Sequence, residues 1–82
     1  MNTFRLSNVS LKNMRLFLKA QGLQKSNISK GRGGHEKWEK KGLLRPIILQ
    51  THKDPVPERI VKQTIRHLKL NRNEFIQFFK PN

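Results

Sequence analysis

The chain has 82 residues, and its 18 Lys and Arg face 5 Asp and Glu, a formal net charge of +13. That is one small domain with a modest core, too short for a two-domain enzyme built round a deep cofactor cleft. The absence of cysteine excludes a disulfide framework, a thiol nucleophile and a thiolate zinc site.

A compact domain this basic repels itself unless an anionic partner neutralises it. Nucleic acid is the first expected partner, then an acidic protein, then an anionic membrane. No apolar run approaches the ~18 residues of a membrane span, and the apolar face of the first helix is too small for a membrane-surface helix, so no membrane partner is expected. The opening Met1-Asn2-Thr3-Phe4-Arg5-Leu6 lacks the continuous apolar stretch of a signal peptide. With the missing cysteines this fits a cytoplasmic protein. Residues 1–82 read as a single domain.

The first element is a helix. Ser10 reads as its N-cap and Gly22 as its C′ residue. Between them Leu11, Met14, Phe17 and Leu18 recur at three- and four-residue spacing and form one apolar stripe. From Leu23 the helical period stops. Lys30-Gly31-Arg32-Gly33-Gly34-His35 packs three glycines into four positions, a density that breaks helices and supplies backbone freedom for a turn. His35-Glu36-Lys37-Trp38-Glu39-Lys40-Lys41 follows. Leu43-Leu44-Arg45-Pro46-Ile47-Ile48-Leu49-Gln50-Thr51 carries the clearest strand signal, with Pro46 near the start of the strand or on an edge. Three antiparallel strands are expected at about 23–30, 35–41 and 45–51.

Asp54-Pro55-Val56-Pro57-Glu58 closes the sheet and opens a second helix, with Pro57 suited to its first turn. Ile60, Val61, Thr64, Ile65 and Leu68 form its apolar face, and His67 falls among its solvated positions. Asn71 with Glu74 three residues on reads as a capping box for a short last helix. Phe75, Ile76, Phe78 and Phe79 either close the core or dock a partner. The expected fold is α+β, α-β-β-β-α with a C-terminal helix, and a three-stranded antiparallel sheet carrying its helices on one face. Double-stranded RNA-binding domains use this architecture.

The candidate chemistry sits at His35. Imidazole is the side chain whose ordinary pKa, ~6.5, lies nearest physiological pH. It suits deprotonation of a ribose 2′-hydroxyl that then attacks the adjacent phosphate. Gly33 and Gly34 lack a Cβ, so their N–H groups can approach a phosphate closely. Lys30, Arg32 and Lys37 supply cations to hold the backbone and offset charge on the phosphorane. In a strand, residues 35 and 37 share one face and 36 and 38 the other, so Trp38 points to the core. His52 is a supporting candidate, either as general acid or as a turn cap. The carboxylates and histidines are too sparse for a metal site, so neither metal nor cofactor is expected.

Gly-Gly-His-Glu-Lys-Trp at 33–38, Arg-Pro-Ile-Ile-Leu-Gln-Thr-His at 45–52, Asp54-Pro55-Val56-Pro57, the helix from Ile60 to Ile65, and Glu-Phe-Ile-Gln-Phe-Phe at 74–79 together resemble the HicA family. These toxins are the RNase partners of HicB antitoxins in bacterial type II toxin–antitoxin modules. The resemblance covers most of the chain from about Leu11. It implies a double-stranded-RNA-binding-like fold, mRNA cleavage without a ribosome, His35 as catalytic residue and His52 as a second recurrent family histidine. One departure concerns position 34. Many members carry Ser or Thr before the histidine, where this chain has Gly34, so a hydroxyl that could position phosphate or orient the imidazole is missing. The segment from Gly22 to His35 is also a little longer than usual.

The expected function is a metal-independent endoribonuclease toxin, an mRNA interferase, held in check by a HicB-type antitoxin with acidic and apolar surface. The alternative is a non-catalytic double-stranded RNA-binding module, for which the same fold and charge suffice. A DNA-binding accessory role has no recognition-helix pair to support it.

Overall fold

The computed structural model describes residues 5–26 and 34–79. A 3-10 turn at Leu6–Asn8 leads into α1 (Leu11–Ala20). Then follow β1 (Gln24–Ser26), β2 (His35–Glu39), β3 (Ile47–Gln50), α2 (Glu58–His67) and α3 (Arg72–Phe79). This is a small α+β domain with three helices and one antiparallel sheet of order β1-β2-β3.

Its helix boundaries follow from capping. Ser10 Oγ accepts from the Asn13 N–H at 3.0 Å, and Asp54 Oδ1 accepts from the Leu11 N–H at 2.9 Å. Two orphan donors of α1 are thereby satisfied. The second cap comes from 43 residues away. The Val56 N–H donating to the Val9 carbonyl at 2.8 Å anchors the same segment beside it. At the other end Gly22 takes a φ of +90°. Its N–H reaches the Lys19 carbonyl at 3.0 Å and that of Leu23 reaches Leu18 at 3.0 Å, a Schellman closure. Helix α2 closes identically, through Lys69 to Arg66 and Leu70 to Ile65, both at 3.0 Å, but a lysine occupies the left-handed position, with φ 60°. Pro57 lies at the N-cap of α2, one position before the first turn expected of it. The expected capping box forms. Asn71 Oδ1 accepts from the Glu74 N–H, and Glu74 Oε1 from the Asn71 N–H, both at 2.8 Å.

The strands are shorter than expected, because Lys40 and Lys41 belong to a turn and Arg45 and Pro46 precede β3. The far half of the expected first strand lies outside the described residues. Register pairs Trp38 with Ile47 and Glu36 with Leu49 on one face, and His35 with Gln50 and Lys37 with Ile48 on the other. Trp38, Ile47 and Leu49 are buried in one cluster with Met14, Phe17 and Leu18 of α1, Val61 and Ile65 of α2, and Phe75 of α3. One sheet face is thus spent on the core and the other stays open. The C-terminal aromatics divide. Phe75 is buried edge-to-face on Phe17 with ring centroids 4.6 Å apart, whereas Phe78 remains 41% exposed. Among the described residues no helix is long and apolar enough to cross a membrane.

Candidate active site

His35 opens β2 and is exposed. The residue before it joins the ladder, since the Gly34 carbonyl accepts from the Thr51 N–H at 2.9 Å. That bond fixes where β3 turns, and the turn delivers His52 to the same spot. The His35 and His52 rings lie 6.4 Å apart between centroids, at an interplanar angle of 79°. Residues 17 positions apart are thereby brought to one edge of the open face by strand register alone. His52 is exposed as well.

Gly34 plays a different part from the one its sequence context suggests. Its φ is not in the left-handed region, so its conformation does not call for glycine. A Cβ built there would meet His52 Nδ1 at 3.6 Å, ordinary contact. The glycine therefore leaves a small space directly beside the second imidazole. Lys37 lies on the same face as His35, between Ser26 and Ile48, as period-2 alternation requires. Lys30, Arg32 and Gly33, the other expected phosphate-binding residues, lie outside the described residues.

Behind the site, on the covered face, Glu36 holds a cluster that sequence reasoning did not assemble. Its carboxylate accepts from Arg15 Nε at 3.1 Å and Nη2 at 2.6 Å, and from the Trp38 indole N–H at 3.1 Å. Lys25 Nζ is 3.9 Å away. Burial pushes the Glu36 carboxyl up, but hydrogen bonds from Arg15 and Trp38 and the charges of Arg15 and Lys25 outweigh it and leave it below the usual glutamate range. The pair is a bidentate fork. The two-residue spacing of Glu36 and Trp38 was the only sign in the sequence that they share a face; that Arg15 meets them depends on how α1 crosses the sheet.

His67 makes a contact that the sequence did not suggest. It is half-buried, and its Nε2 lies 2.9 Å from the Arg45 carbonyl in an exposed contact that pins the approach to β3 against α2. Among the described residues no three His, Asp or Glu side chains converge to hold a metal ion.

Compared with protein-family models, curated proteins and solved structures, the chain matches none. The reading of the site therefore rests on its own geometry and chemistry.

Proposed function

We propose that the protein is an endoribonuclease toxin of the HicA type, acting on mRNA without a metal and neutralised by an acidic HicB-type antitoxin. The observation that carries this reading is the exposed His35–His52 pair, 6.4 Å apart, on the open sheet face of a chain with net charge +13. Two imidazoles this close can act on one phosphodiester, one taking a proton and the other giving one. The α-β-β-β-α order is compatible with a double-stranded-RNA-binding-like fold, whose modules engage RNA through backbone and 2′-hydroxyl contacts.

The chemistry then runs as a transphosphorylation. His35 takes the proton of the ribose 2′-hydroxyl, and the 2′-oxygen bonds to the adjacent phosphorus. The bond from phosphorus to the 5′-oxygen breaks, and His52 supplies the proton that oxygen needs. The products are a 2′,3′-cyclic phosphate and a 5′-hydroxyl, and solvent returns both rings to their starting states. Lys37, with Lys30 and Arg32, offsets the charge that builds on phosphorus. The space beside Gly34 lets the backbone approach His52. Because one ring must start neutral and the other protonated, the rate rises and then falls with pH.

His35→Ala lowers cleavage of a long mRNA by ~10² or more while keeping the helical signal and melting temperature of the parent. His52→Ala lowers it less and removes one limb of the pH profile. Cleavage persists in EDTA. RNA that is bound and never shortened would support the non-catalytic binding module instead, and dependence on added divalent metal would overturn the metal-free mechanism.

A further inference from the structure

The β3 edge of the sheet continues into a groove that the nuclease reading does not use. β3 is the last strand on its side. The Thr51-to-Gly34 bond makes residues 34 and 51 a hydrogen-bonded pair, and the register makes 36–49 and 38–47 the next such pairs. Alternation therefore turns the main-chain N–H and C=O of Ile48 and the N–H of Gln50 toward the open edge, while the Gln50 carbonyl accepts from the Lys53 N–H at 3.2 Å in the following turn. Pro46, at the next such position, has no N–H, so pairing along this edge is bounded at one end. Beside the edge runs a cleft of ≈ 250 Å³ between β3 and α2, floored by Pro46, Ile47, Ile48 and Ile60. Gln63 and His67 line this cleft and also a second one of ≈ 530 Å³, which extends it past the 40–44 turn. Leu44 stands there 93% exposed.

Charge decides what fits. Arg45, Lys40, Lys41, Arg66 and Lys69 border the two clefts, and no acidic side chain does. At the opposite edge, by β1, the corresponding cleft contains Glu36. The lining holds no Phe, Tyr or Trp, and its one aromatic ring, the His67 imidazole, is tied to the Arg45 carbonyl, so it lacks the row of free rings on which a single RNA strand stacks. A strand edge with alternating pockets is instead what an extended peptide recognises, main-chain bonds giving affinity and alternate side chains specificity.

We propose that this edge and groove bind an extended acidic peptide segment of a partner protein, which adds to the sheet as a fourth strand beside β3. Its apolar side chains enter the cleft against Ile47 and Ile60, and its carboxylates meet Arg45 and Arg66. Two strand spacings, ~10 Å, separate it from β2, so it anchors a partner beside His35 without lying on it. The assignment stands whether or not the protein cleaves RNA.

The test uses the full chain and a short fluorescent peptide alternating glutamate with valine. Controls are the same peptide with lysine for glutamate, and one N-methylated at every second residue so that it cannot pair with a strand edge. Only the unmodified acidic peptide binds, and the amide shifts it causes cluster at 45–50 and 60–67. Ile48→Pro, which removes an outward N–H without breaking a β2–β3 bond, weakens binding about tenfold, ~1.4 kcal/mol. Arg45→Glu with Arg66→Glu does the same if the proline variant folds poorly. Equal binding of the N-methylated peptide, or shifts spread over every basic surface, would refute strand addition. Displacement of the peptide from 45–50 by a short single-stranded RNA that shifts the same amides would reassign the groove to nucleic acid.

Discussion

Glu36 shows how one side chain ties three elements together. It reaches Arg15 on α1, Lys25 on β1 and Trp38 beside it on β2. Its side chain is 11% exposed and that of Arg15 39%, so solvent screens the pair in part and its net worth is about 1 kcal/mol. Because its folded pKa lies below the ordinary value of 4.5, the stability it contributes is present above that value and is lost as pH falls through the folded one. Melting curves of the parent and of Glu36→Gln, taken across the acid range, therefore differ most near neutrality and converge at low pH. A gap independent of pH would show that packing of the side chain, not its charge, is what matters. Gly34 offers a second test at this scale. Its φ suits any residue and a Cβ has room, so Gly34→Ser keeps or raises stability by about 0.5 kcal/mol through the unfolded state. Its hydroxyl lands beside His52, so any change in cleavage should vanish in the His52→Ala background.

Among the elements, the two Schellman closures differ in one residue. Gly22 takes its φ of +90° at no steric cost, whereas Lys69 holds 60° at a cost of about 1 kcal/mol. Lys69→Gly should raise thermal stability, and Gly22→Ala should lower it by at least as much. Calorimetry of both variants checks the pair together. Asp54→Ala removes the Leu11 cap and should cost about 1 kcal/mol, although position 54 is far from α1 in sequence. These sites also mark what was readable beforehand. Ser10, Gly22 and the Asn71–Glu74 box were legible because a local cap needs only neighbours in sequence. Lys69 and Asp54 were not, since a lysine carries no turn signal and a cap from another element has no local spacing. The same divide runs through the candidate site. Alternation was enough to put His35 opposite Trp38, while the meeting of His35 with His52 depends on the register of β2 and β3. The contact of His67 was not legible because the carbonyl it meets, that of Arg45, lies outside its own helix.

For the molecule as a whole, charge acts in two opposing ways, and salt separates them. The net charge of +13 is spread over a domain with a Cα radius of gyration of 12.7 Å, so many like charges lie within a Debye length, about 10 Å at 0.1 M salt. The ion pairs of the described residues are few, Arg15–Glu36, Lys25–Glu36 and Lys62–Glu58, so screening relieves more repulsion than it removes attraction. Raising salt should therefore raise the melting temperature of the free protein. RNA binding should move the other way, because each phosphate contact releases a counterion and the affinity falls linearly on a double-logarithmic plot, with a slope of about −0.7 per contact for single strands. RNA should in turn raise the melting temperature by mass action, and most strongly at low salt. The measurement is a melting series in sodium chloride with and without a short RNA that His35→Ala leaves intact. The two curves should approach each other as salt rises. A free protein that melts lower in higher salt would mean that the few ion pairs outweigh the excess of cations. An RNA-bound protein whose stability ignores salt would mean that its phosphate contacts are not what holds the strand.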